Sequence, residues 1–268
     1  MQYIFICLLM FSVSSAFAGG TLVVSGTGDS QSFLRSIAVL FEEQYPGTSI
    51  KVPESIGSGG GIRAISANKI DLARTARALK KKERTKLIEF GIAKSPVVFV
   101  TNQSVVGVNN INTQQLLDIY KGQITNWQLL NGPDHKLYTI NRETSDSSRK
   151  ILNQYISGFE DIESKSKVVD STPKTVAILE KYDYTIGYLP LSEVKNSNLK
   201  ALKFNNVEAS PNNVENGKYA LVNTFYLVSN INPDGLTKQF LDFIYTPAVK
   251  KIILRHGLTP LKKPLHLP

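Results

Sequence analysis

Three times along this chain a short strand pattern runs into a loop of small polar residues and then into a helical pattern. Thr21 to Ser25 leads through Gly26-Thr27-Gly28-Asp29-Ser30 to Phe33, Leu34, Ile37, Leu40 and Phe41, which are apolar residues at helix spacing. Thr48 to Pro53 leads through Gly57-Ser58-Gly59-Gly60-Gly61 to a helix expected from about Ile62 to Asn68. Leu137 to Ile140 leads through residues 142–148 to a helix expected from Ser148 to Tyr155. Strands that alternate with helices join as parallel neighbours, so the pattern predicts an α/β fold. The rest of the chain keeps the same grammar. Strands are expected at Pro96–Thr101, Thr185–Tyr188 and Tyr219–Val228, and helices at Thr113–Tyr120, Thr175–Tyr182, Leu236–Tyr245 and Pro247–His256.

A strand–loop–helix junction of this kind is suited to holding an anion. The first N–H groups of a helix have no acceptor within it, and the aligned peptide dipoles add partial positive charge there. Glycine lets an oxyanion approach the backbone, and serine and threonine hydroxyls add donors. Arg142 supplies a guanidinium whose fork matches a tetrahedral oxyanion. No Gly-Lys-Ser/Thr triplet occurs, and residues 57–61 do not follow the dinucleotide pattern of spaced glycines, which argues against a nucleotide enzyme. No nucleophile with a base is recognisable, and His135, His256 and His266 show no paired metal spacing, so neither an enzyme nor a metal or other cofactor is expected.

Residues 1–18 carry no charge and combine an apolar run, Ile4 to Val13, with Ala16-Phe17-Ala18, a small-x-small cleavage signal. They read as a secretory signal peptide. Its removal takes away Cys7, the only cysteine, leaving no disulfide and no thiol for lipid attachment. The expected product is exported to the periplasm, soluble and not lipid-anchored. It keeps the whole formal charge of +9, from 31 Lys+Arg against 22 Asp+Glu. Such a charge attracts small anions. The aromatic residues follow apolar periodicities rather than interleaving with basic ones, so nucleic acid is not an expected partner.

From about residue 21 to 261 the chain resembles the periplasmic phosphate-binding proteins of ABC transporters. GTGDSQSF (26–33) resembles the family's first anion loop, and GSGGGIRAI (57–65) with DLARTARAL (71–79) resembles the second. QLLDIYKGQITNW (115–127) is the most diagnostic stretch, and Arg142 with Ser145 to Arg149 resembles the third anion loop; TIGYLP (185–190) and GLTPL (257–261) also fit. The resemblance implies a type II periplasmic binding protein fold, with two α/β lobes joined by two crossover strands and an anion cleft between them. Lobe 1 is expected over 21–98 with 228–268 and lobe 2 over 99–223, with crossovers near 99–101 and 224–227. It further implies a monomer that captures phosphate or a similar oxyanion and passes it to a transporter permease. The alternative is the same fold serving as a sensor or partner-binding protein. The anion-binding residues implied are Thr27, Gly28, Asp29, Ser30, Ser58, Gly59, Gly60, Arg142, Asp146, Ser147 and Ser148.

The chain departs from that pattern at three places. Ala76 stands where such proteins carry an aspartate that accepts the phosphate proton, while Asp146 and Asp29 stand where the anion loops have serine and threonine. Either aspartate could take over the acceptor role; alternatively both cap their helices and point away. Arg74 and Arg77 are expected as surface charges, and the basic segment Arg77–Lys86 as a solvated helix face. Tyr120 and Trp127 are expected in the second lobe's core.

Overall fold

The computed structural model describes residues 19–163, 166–195 and 197–264; the expected leader, residues 1–18, and His266 lie outside them. The chain opens with β1 (Thr21–Gly26), α1 (Gln31–Gln44), β2 (Ser49–Lys51), α2 (Gly57–Ser66) and β3 (Leu72–Thr75). A long strand, β4 (Leu87–Thr101), leads out of this half. The second half holds β5 (Asn110–Ile111), α3 (Thr113–Tyr120), β6 (Tyr138–Arg142), α4 (Ser147–Tyr155), β7 (Lys167–Val169), α5 (Thr172–Lys181) and β8 (Thr185–Pro190). Short pieces follow: α6 (Leu191–Val194), β9 (Lys200–Ala201), β10 (Lys203–Phe204) and α7 (Pro211–Glu215). β11 (Val222–Asn230) returns, and α8 (Gly235–Ile244), α9 (Pro247–Arg255) and β12 (Thr259–Pro260) rejoin the first half.

One sheet runs through both halves in the order β2-β1-β3-β11-β4-β8-β6-β7. β1 pairs in parallel with β2 and β3, and β6 pairs in parallel with β7 and β8, as crossover helices require. Between these parallel sets lies an antiparallel pair, β4 with β11, running from Leu87↔Asn230 to Pro96↔Val222. Two cores flank it. One gathers α1, α8 and α9 around Phe41, whose ring meets Phe240 and Phe243 edge-on at 5.2 and 5.1 Å. The other gathers α3, β6 and β8, and both Tyr120 and Trp127 pack in it as expected. Trp127 Nε1 donates to Tyr184 O at 2.9 Å, and Tyr120 Oη donates to Ile140 O at 3.1 Å, so neither polar tip is buried unmet.

The change from one core to the other falls between Ala93 and Val97 on β4 and between Leu221 and Phe225 on β11. Phe99 and Val100, in the expected first crossover, pack in the second core. Pro96 reads as a strand start, yet β4 begins at Leu87, and Pro96 lies within the β4–β11 pairing. Two further differences concern local structure. Arg77–Lys86 is not a helix: Glu83 carboxylate oxygens accept from Arg77 and from the Lys80 N–H, which folds the segment into a turn. And α2 starts at Gly57, within the glycine run itself. Gly61 lies so close to β1 that an added Cβ would meet Gly26 Cα at 3.0 Å, so close packing overrides poor helix propensity.

Candidate functional site

A cleft of about 1000 Å³ opens between the two cores. One wall comes from the first half, from the loop after β1 and the start of α2. Thr27, Gly28, Asp29, Ser58, Gly59 and Gly60 all line it. The N-cap of α2 is Ile56, whose side chain makes no cap, so among the described residues nothing but Ser55 Oγ, bonded to Gly57 N at 3.3 Å, serves the first amides. Those of Ser58 and Gly59 are left for a ligand. Ser58 Oγ accepts from Ala76 N at 3.1 Å, which leaves its own proton to donate elsewhere.

Arg74 holds this wall in shape. Its guanidinium donates to Thr27 O at 2.6 Å, Val24 O at 2.7 Å, Pro53 O at 2.7 Å and Gln31 Oε1 at 3.1 Å. It is fully buried, not the surface charge expected from sequence, and burial brings its pKa down to about 10. The carbonyls of three separate segments thus converge on one cation, which is how a charge can be buried without an ion pair. Gly26 is obligatory beside it, with φ at +147° and Arg74 O only 2.0 Å from where a Cβ would stand.

The facing wall is charged. β6 ends at Arg142, whose Nη2 meets Asp146 Oδ2 at 2.7 Å, with both side chains 4% exposed. Arg142 Nη1 donates to Thr172 Oγ1 at 3.0 Å and Nε to Val169 O at 3.2 Å. Asp146 is also the N-cap of α4, its Oδ1 accepting from Arg149 N at 2.9 Å. Burial, opposed by Arg142 and reinforced by the nearby Asp29 charge, raises the Asp146 pKa to about 6. Asp29 comes from the other half and reaches across. Its carboxylate accepts from Thr172 Oγ1 at 2.6 Å and from Ser147 Oγ. Ser192 Oγ donates to Asp29 O at 2.9 Å, and a Cβ on Gly28 would meet Pro173 Cδ at 3.1 Å, so the two halves touch closely here.

A family model described as the PBP superfamily domain matches residues 12–248. The chain belongs to the PBP superfamily. It is 27% identical over 249 residues to the phosphate-binding protein PstS of Bacillus subtilis, covering 91% of this chain and 82% of that one. PstS of Borreliella burgdorferi is 27% identical over 222 residues, 77% of this chain and 78% of that one. A Clostridium perfringens structure with bound phosphate superposes with a TM-score of 0.79 at 26% identity, covering 90% of this chain and 100% of that one. An ABC-type phosphate transport receptor from Vibrio cholerae gives 0.65 at 27%, covering 89% and 99%. The mixed α/β architecture with one curved sheet is the type II periplasmic binding protein fold.

Within this PBP-superfamily cleft, nine of the eleven sequence-selected residues line the walls, from Thr27 to Ser147. Ser30 and Ser148 do not. Both are buried behind the lining, and neither hydroxyl has a hydrogen-bond partner among the described residues. The two aspartates fit neither alternative cleanly. Asp146 caps α4 and still faces the cleft, on Arg142; Asp29 caps nothing and bridges the halves. Arg77 lines the cleft with its guanidinium held by Glu83 at 2.8 and 2.9 Å. Thr172, Lys80, Lys150 and Asn223 were not selected from sequence, yet all line the cleft. Thr172 follows Ser171 and precedes Pro173, a helix-start signal that could have drawn attention to it. Asn223 lies in a strand with no such signal.

Proposed function

We propose that this protein captures phosphate in the cleft and delivers it to the permease of an ABC transporter, as an exported monomer freed of residues 1–18. The observation that carries this reading is the pairing of walls: the uncapped start of α2 and the buried Arg142 line one cavity. Uncapped amides and a guanidinium are donors only, so the cleft suits a multiply charged oxyanion. The relatives named for phosphate, matched over most of the chain, point the same way. Asp29 and Asp146 provide the proton acceptor that Ala76 cannot. Hydrogen phosphate brings a proton to a carboxylate; sulfate brings none and meets repulsion. The role read for this site is binding: amide and guanidinium donors hold the anion while Asp29 and Asp146 accept its proton.

Titration calorimetry of the stripped protein with phosphate and sulfate tests this. The expected result is one phosphate per chain, with sulfate weaker by at least about 100-fold, or roughly 2.7 kcal/mol. Equal binding of the two anions would remove the carboxylate role. A flat response to phosphate, sulfate, molybdate and tungstate would remove capture altogether and favour the sensor or partner-binding alternative.

A further inference from the structure

The cleft is far larger than its proposed ligand. A tetrahedral oxyanion of five heavy atoms displaces on the order of two or three waters, roughly 60–90 Å³ at about 30 Å³ each. The cavity holds about 1000 Å³. The excess is not featureless. Besides Arg142, its lining takes in the turn after β3, α4 and β11. Two lysines line it from opposite halves, Lys80 from the turn and Lys150 from α4. Lys80 Nζ has no hydrogen-bond or ion-pair partner among the described residues. Among the described residues, Lys150 Nζ donates only to Ser145 O, at 2.6 Å. The carboxylates around them are engaged elsewhere: Glu83 with Arg77, Glu89 with Arg84, Asp146 with Arg142, and Glu143 with the Ser145 hydroxyl. Partial desolvation and the charges of Arg77 and Lys80 lower the Lys150 pKa, with Asp146 opposing. On β11, Asn223 is 3% exposed and its Nδ2 has no hydrogen-bond partner among the described residues. A buried donor left unmet in a cavity that two lysines also line is what an anion subsite offers.

Resting on the phosphate reading above, we infer that Lys80, Lys150 and Asn223 form a second anion subsite. The preferred ligand is then a small molecule with two anionic groups, one phosphoryl at Arg142 and a second phosphoryl or carboxylate between the lysines. β11 supplies the neutral donor and each half one cation, so such a ligand ties the two halves together through charge.

Titration calorimetry of the full chain with orthophosphate, glycerol 3-phosphate, pyrophosphate and 3-phosphoglycerate tests the inference. Glycerol 3-phosphate controls for size without a second charge. Pyrophosphate and 3-phosphoglycerate distinguish a second phosphoryl group from a carboxylate. The expected result is that at least one two-anion ligand binds ten times tighter or more than orthophosphate and glycerol 3-phosphate. In a Lys80→Gln/Lys150→Gln double variant that advantage disappears, while orthophosphate affinity changes less than threefold. Both lysines are exposed, so the variant keeps its packing. Orthophosphate binding as tightly as every two-anion ligand overturns the second subsite and leaves phosphate capture standing. An equal loss for all four ligands in the double variant also overturns it, by reducing the lysines to long-range attraction. Failure of every ligand, orthophosphate included, overturns both.

Discussion

The two walls of the cleft hold anions by opposite means. The α2 wall is made of backbone: a helix start without a cap, three glycines and one hydroxyl, braced from behind by the buried Arg74. The α4 wall is made of charge: Arg142 and Asp146 at 2.7 Å, with Asp29 reaching across to Thr172. The α2 amides and the Ser58 hydroxyl carry no titratable proton and the amides are fixed, so they should discriminate by shape and respond little to pH. A wall of buried charges is already compensated before any ligand comes. A ligand there must enter an existing network, and selectivity depends on which charges it displaces. Mutations in the two walls should therefore differ in size and in kind.

The largest effect is expected at Arg142. Arg142→Ala removes the anion's guanidinium and leaves Asp146 buried without its cation, beside Asp29. Removing one partner of a buried pair costs about 3–5 kcal/mol of stability. Phosphate binding should fall at least about 100-fold, equivalent to roughly 2.7 kcal/mol. Calorimetry and chemical unfolding together check this. A variant that keeps both affinity and stability would place the anion on the α2 wall alone.

Asp146→Asn comes next and acts in the opposite sense for one ligand. Asparagine keeps the oxygen that caps α4 but removes the charge that Arg142 now meets. Sulfate should bind tighter by about tenfold, or roughly 1.4 kcal/mol, and the phosphate-over-sulfate ratio should shrink accordingly. An unchanged ratio would assign the discrimination to Asp29, which Asp29→Asn then tests in the same assay.

The difference between the walls also explains what sequence could and could not disclose. The glycine and serine loops were legible because their chemistry is local, set by a strand end and a helix start. So were the bounds of α3, where Asn112 and Gln115 exchange backbone and side-chain bonds in a capping box. Arg74 was not. A strand of four residues with arginine in it, LART, looks exposed, and its burial depends on carbonyls contributed by Val24, Thr27 and Pro53. Asp29 was legible as a cleft residue but not as a bridge, because Ser147 and Thr172 lie more than a hundred residues further along the chain. Asn223 sits among alternating residues of β11, where an inward polar side chain has the same spacing as an outward one.

Another polar contact between the halves, outside both walls, sharpens the distinction between stability and binding. Partly exposed Glu193 accepts from Ser32 Oγ at 2.8 Å and from Ser32 N at 3.3 Å. Burial raises its pKa to about 7. The folded state then holds a proton that the unfolded state has released, so stability falls as pH rises from about 4.5 to 7. Allowing for solvent screening of a partly exposed group, the change is on the order of 1–2 kcal/mol. Glu193→Gln should remove that part of the slope and leave the part due to Asp146, whose raised pKa has the same sign. Phosphate affinity should stay unchanged, because Glu193 does not line the cleft. Thermal unfolding across this pH range checks the first expectation and calorimetry at one pH the second.

The smallest effect belongs to the backbone wall. Ser58→Ala removes one hydroxyl donor from the cleft and leaves the buried Ala76 N–H without its acceptor. The loss amounts to about 1 kcal/mol, or roughly fivefold in affinity, because the amides of α2 remain in place. Its diagnostic property is its shape with pH. Neither the Ser58 hydroxyl nor the α2 amides titrate, so the ratio of variant to wild-type affinity should be the same at pH 5 and pH 8. The corresponding ratio for Asp146→Asn should change across that range, as the wild-type carboxyl passes through its pKa of about 6. If both ratios move in parallel, the walls act as one electrostatic unit and the contrast between backbone and charge does not hold.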